Sequence, residues 1–478
     1  MSTTLRSVLI SDPVDACCGE LLVRHGIPVT TKYKLSKEKL IKELQNHEGL
    51  IVRSETKVTA DVFACCPNLR VVGRAGTGVD NIDLEAATRK GVIVLNTPGG
   101  NSISACELTC ALISNLARNV TQAVQSLKDG RWDRKLYSGF ELSGKTLAVL
   151  GMGRIGREVT RRMQAYGMRV IAFDPLLTSE DANYLNVEKF SLDEIWPMAD
   201  YITVHTPLIP QTKNLINATT LAKCKKGVRI INVARGGIVD EEALLNALKS
   251  GHCAGAALDV FTEEPPKNSV ILELIAHPKV ISTPHLGAST EEAQQRVAEE
   301  IAQQFLVLAG RSTEYVITGI VNAPMLSAAI SDENASWIEL SKKLAVLVGI
   351  LSGQTKNGLN LINAPTLAQE IGIDIKRSYE ESTNIEAIVI QAEGHWIKGT
   401  VRNNKPMLLS LDDALFSDGI ILGDFISLYQ TSNIQDLAQI VNVFSLKNIN
   451  ICNLNTNGNW MIIQTDREVS IPVNAFIG

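Results

Sequence analysis

Lys145–Asp174 reads KTLAVLGMGRIGREVTRRMQAYGMRVIAFD. An apolar strand, Thr146–Leu150, runs into Gly151-x-Gly153-x-x-Gly156; a helix-compatible run follows to Tyr166, and a second apolar strand, Arg169–Phe173, ends on Asp174. Each part has its own task in binding a dinucleotide. Gly151 permits a tight turn, Gly153 lets backbone approach a pyrophosphate, and Gly156 lets helix pack on strand. The helix N-terminus offers unpaired N–H groups to the phosphates. Asp174, eighteen residues after Gly156, is placed to take both ribose hydroxyls. A glycine-rich turn alone is a weak signal, but strand, helix and terminal acid together meet the context it requires. The acid also selects the cofactor. A 2′-phosphate would lie against Asp174, and Pro175-Leu176-Leu177 offers no arginine to neutralise it. NAD is therefore expected in preference to NADP.

Outward from this loop the alternation continues. Six apolar strands are predicted from Lys145 on: Thr146–Leu150, Arg169–Phe173, Tyr201–Val204, Val228–Val233, Gly255–Leu258 and Val280–Ser282. Six is the number in two mononucleotide-binding halves. Upstream, Ser7–Ser11, Gly49–Arg53, Arg70–Arg74 and Gly91–Leu95 read as strands, with Lys37–Asn46 and Leu84–Arg89 helical. This is a second α/β unit without a phosphate loop. After the breaker run Asn96-Thr97-Pro98-Gly99-Gly100, Ser104-x-x-Glu107 has capping-box spacing and opens a bridging helix to Arg118. Beyond Thr290 a helix runs to Ala309, and Arg311–Thr313 and Ile317–Pro324 read as a linker. The last segment reads strand Phe425–Tyr429, helix Ile434–Phe444, strands Ile449–Leu454 and Trp460–Gln464, a small α+β unit.

The 478 residues allow roughly three domains. A net charge of −5 gives no electrostatic case for nucleic acid or an anionic membrane. No apolar run is long enough to span a bilayer, and MSTTLRSVLISD lacks a signal-peptide core. Nine cysteines without framework spacing or C-x-x-C suggest free thiols in a reducing, cytoplasmic setting and no metal site.

Ligands of doubly wound sheets bind at the carboxyl ends of the strands. There the sequence places His205-Thr206-Pro207, Arg235-Gly236-Gly237, Asp259 followed by Glu263-Glu264-Pro265-Pro266, and His285-Leu286-Gly287. Hydride transfer from a 2-hydroxy acid needs a cation for the carboxylate, a base near neutral pH, and a carboxylate to orient that base. Arg235, His285 and Glu264 fit these roles. Each also has a plainer reading, as a loop arginine, a packed histidine beside Pro284, or a solvated acid; placement at neighbouring strand ends lifts them together. His205 reads as part of a cofactor-lining turn.

These residues carry a resemblance. Gly73-Arg74-Ala75-Gly76-Thr77-Gly78-Val79-Asp80-Asn81-Ile82-Asp83, Asn96-Thr97-Pro98, the GMGRIG loop, Val233–Asp240, Ala257–Phe261 and Pro284–Thr290 are similar to the D-isomer-specific 2-hydroxyacid dehydrogenase family. Trp132-Asp133-Arg134-Lys135 is typical of its phosphoglycerate branch. The resemblance implies a Rossmann-type doubly wound parallel sheet, the NAD domain (100–288), inserted in a flavodoxin-like α/β substrate domain (1–99 and 289–316). An intervening allosteric-substrate-binding-like domain (317–420) and a truncated ACT-like domain (421–478) would follow. It implies that Arg235 binds substrate, His285 is the acid/base and Glu264, the acid directly before proline, its partner. It implies NAD contacts at Thr77, Gly151, Gly153, Arg154, Ile155, Gly156, Asp174, Thr206, Ala234, Asp259 and Gly287, and substrate contacts at Arg53, Ser54, Arg74, Gly76 and Arg134. The family commonly has a polar residue where this chain has Gly99.

The implied activity is NAD-dependent oxidation of 3-phosphoglycerate at C2, the entry step to serine, by a dimer or tetramer packed through the cofactor domain. Two alternatives stay open: reduction of glyoxylate or hydroxypyruvate, and an NAD-sensing corepressor-like binding protein. Amino-acid-binding ACT domains usually carry a glycine turn where this chain has Thr431-Ser432-Asn433. The tail is therefore expected to serve assembly or stability, and a chain ending near Gly310 to keep the site.

Overall fold

The computed structural model describes residues 5–311, 315–323, 340, 343–344, 387–392, 395–422, 426–430, 451–457 and 460–465. The helix expected over Ile434–Phe444 and the Thr431–Asn433 turn lie outside the described residues.

Five strands, β1 (Val8–Ile10), β2 (Val29–Thr31), β3 (Gly49–Val52), β4 (Val71–Arg74) and β5 (Ile93–Leu95), form a parallel sheet in the order β2-β1-β3-β4-β5. This is the flavodoxin-like winding. Seven more form a second parallel sheet: β6 (Thr146–Leu150), β7 (Arg169–Phe173), β8 (Glu188–Lys189), β9 (Tyr201–Val204), β10 (Val228–Asn232), β11 (Cys253–Leu258) and β12 (Val280–Ser282). Their order, β12-β11-β10-β9-β6-β7-β8, is the Rossmann order with one strand added beyond the sixth. The central strands are continuous apolar runs because helices cover both faces of each sheet. β6 is buried at all five positions.

The predicted count of six misses β8, a two-residue exposed edge strand. With β8 in place, β12 is the seventh strand of the sheet. The three-residue edge strand β2, sequence Val-Thr-Thr, was also not predicted.

The chain passes between the two sheets twice. The helix Ser102–Arg118 buries Cys106, Leu112, Ile113 and Leu116 against the second sheet. The helix Glu291–Leu308, capped by Thr290, returns to the first sheet with Val297, Ile301 and Phe305 in its core. The first of these helices starts three residues earlier than its capping-box spacing predicts. Asn101 stands at its N-cap but makes no capping bond, because its carboxamide accepts from the Thr77 hydroxyl at 2.6 Å. Ser104 lies buried in the first turn and bonds the Thr290 hydroxyl at 2.8 Å.

Residues 317–322 are not a free linker. Ile320 bridges Leu95 antiparallel, Val321 N–H donates to Val94 O at 2.8 Å, and Ile317 and Ile320 are buried in the first sheet's core. The segment caps the β5 edge and belongs to the packing of the first sheet. Further on, β13 (Ile388–Ala392), β14 (His395–Arg402), β15 (Lys405–Leu411) and β16 (Ala414–Ile421) make an antiparallel meander. β17 (Ile426–Gln430), β18 (Ile451–Asn457) and β19 (Trp460–Thr465) form a second antiparallel sheet, in the order β17-β19-β18. Among the described residues, no helix is long and apolar enough to cross a membrane.

The return helix sits directly on β4. A Cβ at Gly73 would lie 2.4 Å from the Phe305 ring and 2.9 Å from Ile301. Gly73→Ala is expected to overpack this contact, at a cost of roughly 1–3 kcal/mol. A melting temperature equal to wild type would show that the helix can retreat freely.

Candidate active site

The cofactor loop follows from its glycines. Gly151 has φ +100, and a Cβ there would lie 2.6 Å from His205 O. A Cβ on Gly156 would lie 2.0 Å from Gly151 O. Gly153, by contrast, has nothing within 4 Å on its Cβ side. It stands at the N-cap of the helix Arg154–Ala165, where no side chain caps the first-turn N–H groups of Arg154 and Ile155. Asp174 ends β7. Its Oδ2 accepts from Met152 N–H and its Oδ1 from Leu176 N–H, each at 2.7 Å, which fixes the carboxylate and leaves each oxygen a lone pair.

The turn after β9 completes this wall. Burial pushes His205 down to about 4, so its ring is neutral, paired with the Thr203 hydroxyl at 3.0 Å. The next hydroxyl, Thr206 Oγ1, is buried with no partner. An open glycine face, an uncapped helix start and an orphaned hydroxyl fit the pyrophosphate and ribose of NAD. Across the cleft, Thr77 Oγ1 donates to Asn101 Oδ1 and to Thr97 O. Ala234 N–H donates to Asn232 Oδ1 at 3.0 Å, which shapes the turn after β10.

Arg235 lies on that turn. Its Nε donates to Asp80 of the first body at 2.9 Å, and Nη1 donates to Ala234 O at 2.7 Å. Arg74 ends β4 and Arg53 follows β3. Burial pushes the Arg74 guanidinium down to about 10; Arg235 and Arg53 push the same way, and Asp80 and Asp12 oppose only in part. Burial lowers Arg53 as well. The Nε groups of Arg53 and Arg74 are buried without partners. Room for this crowding comes from two glycines. A Cβ at Gly76 (φ +148) would lie 1.6 Å from Arg74 Nη1, and one at Gly78 would lie 1.8 Å from Arg235 Nη2. Ser54 is exposed beside Arg53.

His285 stands after β12 at φ +55, a conformation side chains disfavour. Asp259, fully buried at the end of β11, holds it there. Its Oδ1 accepts from the Thr283 hydroxyl (2.6 Å) and Leu286 N–H (2.7 Å), its Oδ2 from Gly287 N–H (2.8 Å), and its carbonyl from His285 N–H (2.9 Å). The Asp259 carboxylate is thus committed to the 285–287 turn, with burial, the largest influence, raising its pKa. Any part it takes in cofactor binding runs through that turn. His285 Nδ1 meets Glu264 Oε2 at 2.6 Å, and Glu264 Oε1 accepts from Phe261 N–H at 3.0 Å. Burial raises the Glu264 carboxyl, but the His285 bond, the Phe261 N–H and Arg235 outweigh it and hold the group below its ordinary range.

The structure therefore brings Arg53, Arg74, Gly76 and Arg235 together, and separately joins Glu264 to His285. Arg134 stands apart: it is exposed on the loop after the helix Val120–Lys128, and among the described residues its side chain makes no hydrogen bond or ion pair. Sequence reasoning missed the residues that hold the arginines. Asp12, just past β1, takes the N–H groups of Arg53 (2.6 Å) and Thr56 (3.0 Å). Asn81 donates to Arg53 O and Thr56 O, and Asp80 pairs Arg235. The strand-end rule applied to the first sheet points to Asp12; Asp80 and Asn81 lie inside the quoted glycine-rich motif.

Comparison with known proteins agrees with this fold. Residues 110–287 match the family described as D-isomer specific 2-hydroxyacid dehydrogenase, NAD binding domain. The chain is 49% identical over 455 residues to a D-3-phosphoglycerate dehydrogenase of Rattus norvegicus, covering 86% of this chain and 84% of that one. It is 54% identical over 384 residues to a D-3-phosphoglycerate dehydrogenase of Bacillus subtilis, covering 74% and 73%. The structure of a D-lactate dehydrogenase from Aquifex aeolicus complexed with NAD and lactic acid superposes with TM-score 0.57 at 29% identity, covering 62% of this chain and 93% of that one. The match to that family's NAD-binding domain and the identity to these relatives over most of their length show that this chain belongs to the D-isomer-specific 2-hydroxyacid dehydrogenase family.

Proposed function

We propose that the chain oxidises the C2 hydroxyl of 3-phospho-D-glycerate to the ketone of 3-phosphohydroxypyruvate, the entry step to serine. One observation carries this reading. Three guanidiniums, Arg53, Arg74 and Arg235, share a cleft with too little negative charge, and two of their Nε–H groups are buried without partners. A substrate with a carboxylate at one end and a phosphate at the other supplies what is missing. The name shared by the Rattus and Bacillus relatives supports the same substrate.

Bound NAD supplies the hydride acceptor. Residues proposed to hold it are Thr77, the Gly151–Gly156 loop with Arg154 and Ile155, Asp174, Thr206, Ala234 and Gly287, with Asp259 acting through the turn. His285 Nδ1 is engaged by Glu264, which leaves Nε2 to take the hydroxyl proton. Glu264 remains ionised and stabilises the imidazolium that forms. Arg235 holds the carboxylate and polarises the forming carbonyl. Arg53, Ser54, Arg74 and the Gly76 backbone hold the phosphate end.

We also infer self-association through the cofactor body. Leu127, Trp132, Leu136 and Phe140 are 58%, 76%, 70% and 56% exposed on one helix and the loop after it, a concentration of apolar surface that supports a homodimer or tetramer. Arg134 lies in this surface, so we assign its substrate contact to the partner's site. The odd cysteine count without framework spacing supports a cytoplasmic setting.

NAD reduction over a panel of 2-hydroxy acids tests the reading; equal rates with phosphorylated and unphosphorylated substrates would overturn it, and no turnover at all would favour a binding protein. Arg53→Ala and Arg74→Ala should each raise KM for 3-phosphoglycerate about 10- to 150-fold, the loss of one charge-assisted contact worth roughly 1.5–3 kcal/mol. Unchanged kinetics in both would remove them from the site. His285→Ala should abolish most oxidation. In Glu264→Gln the imidazolium loses a neighbouring charge, so the acidic limb of the oxidation rate should move to lower pH; a limb that stays in place would refute the pairing. Leu127→Asp should leave a monomer in light scattering, and a monomeric wild type would sink the interface.

A further inference from the structure

The segment that caps β5 also reaches the anion loop, the Gly76–Thr77 stretch after β4 that packs against Arg74. Gly319 N–H donates to Gln304 Oε1 at 3.0 Å, and Gln304, fully buried on the return helix, donates from Nε2 to Asn96 O at 2.8 Å. Gly319 O accepts from Asn96 N–H at 2.8 Å. Asn96 is thus clamped through both main-chain groups. Its side chain faces the other way: Nδ2 donates to Thr77 O at 2.6 Å. The next N–H, of Thr97, donates to Gly76 O at 3.0 Å. Two successive residues therefore hold the carbonyls of Gly76 and Thr77, the stretch that makes room for Arg74 and whose Thr77 hydroxyl is bound by Asn101. The clamp leaves no tolerance. A Cβ at Gly319 would lie 2.0 Å from Asn96 O and 2.6 Å from Gln304 Oε1. Asn322 locks the same edge from the far side. Its Oδ1 accepts from Val94 N–H at 2.9 Å and its Nδ2 donates to Val92 O at 2.8 Å.

We infer that Asn96 is a positioning residue for the substrate-anion loop, and that residues 319–322, which follow the return helix, set its position through Gly319 and Gln304. The inference rests on the functional reading above. The Gly76–Thr77 backbone and the Arg74 guanidinium occupy one tight volume, so a shift of that backbone moves the guanidinium. Among the described residues, Arg235 bonds Asp80 and Ala234, Glu264 bonds Phe261 and His285, and none of these bonds reaches Asn96, Gln304 or Gly319. Losing the tether should therefore weaken substrate binding and spare the chemical step.

The test is made on the full chain. Asn96→Ala keeps both main-chain bonds to the clamp and removes only the tether to Thr77; Gly319→Ala displaces the clamp itself. Both should raise KM for 3-phosphoglycerate about five- to twenty-fold while kcat stays within about two-fold. The acidic limb of the rate should stay where wild type has it, a result that a general loosening of the fold does not give. KM within about two-fold of wild type in Asn96→Ala, or a loss confined to kcat, overturns the inference. If Gly319→Ala fails to fold, Asn96→Ala decides alone. Failure of the functional reading shows separately, as a wild type that prefers another 2-hydroxy acid; the same KM ratio measured with that acid then decides the inference.

Discussion

Positive charge that is buried without enough negative charge beside it organises this cleft. A guanidinium gives up much of its hydration on burial and recovers it only through hydrogen bonds or an anion. Arg53 and Arg74 give up that hydration, each with an Nε–H left over, and Arg235 adds a third charge. Nearby features follow from the need to hold these groups apart and aimed. Gly76 and Gly78 yield the volume of a side chain each. Asp12 and Asn81 spend their polar atoms on the backbone around Arg53, so that residue's placement does not depend on its own fork being satisfied. Asp80 takes the Nε of Arg235 and links the two bodies. An overall negative chain that concentrates cations in one cleft also draws a small anion toward it.

The opposite wall uses one buried carboxylate for the same end. A histidine at φ +55 costs on the order of 1 kcal/mol relative to a relaxed backbone, and the turn must supply it. Asp259 does so with three donors on its carboxylate and a fourth on its carbonyl. The imidazole then reaches Glu264 through Nδ1, and the tautomer is set by that bond. Asp259 is fully buried, so these bonds are shielded from competing water. Both walls thus hold reactive groups through backbone contacts made by residues that themselves stay out of the reaction.

This division explains what was legible in the sequence. The Rossmann sheet could be read because its inner strands are apolar runs joined by a loop whose glycines have separate tasks. Arg235, Glu264 and His285 could be read because they stand at carboxyl ends of those strands. β2 and β8 could not: each is an edge strand of two or three residues, paired on one side only, with exposed polar positions that carry no periodicity. The capping box at Ser104 is sound as local chemistry but loses to tertiary context, since Asn101 serves Thr77 and the helix extends past it. Asp12 stands at a strand end of the first sheet, and Asp80 and Asn96 lie inside quoted motifs, so their positions were legible. Their partners, main-chain atoms and side chains distant in sequence, were not.

The capping of β5 is the extreme case. An exposed parallel edge invites pairing with another chain. Here Ile320 and Asn322, more than two hundred residues downstream of the strand, close it. A cover that served only to block the edge would need main-chain bonds and little else. This one also passes through Gln304, an uncharged amide held fully buried in a helix, where an apolar residue would pack at no desolvation cost. The amide joins Gly319 to Asn96, and Asn96 joins that pair to the loop under the arginines. Both polar atoms of the Gln304 amide are matched, which is the condition under which such a network favours one arrangement over its neighbours. Closing the sheet and setting the anion loop are therefore one structural event, and the residues that follow the return helix belong to the active site's support as much as to the tail.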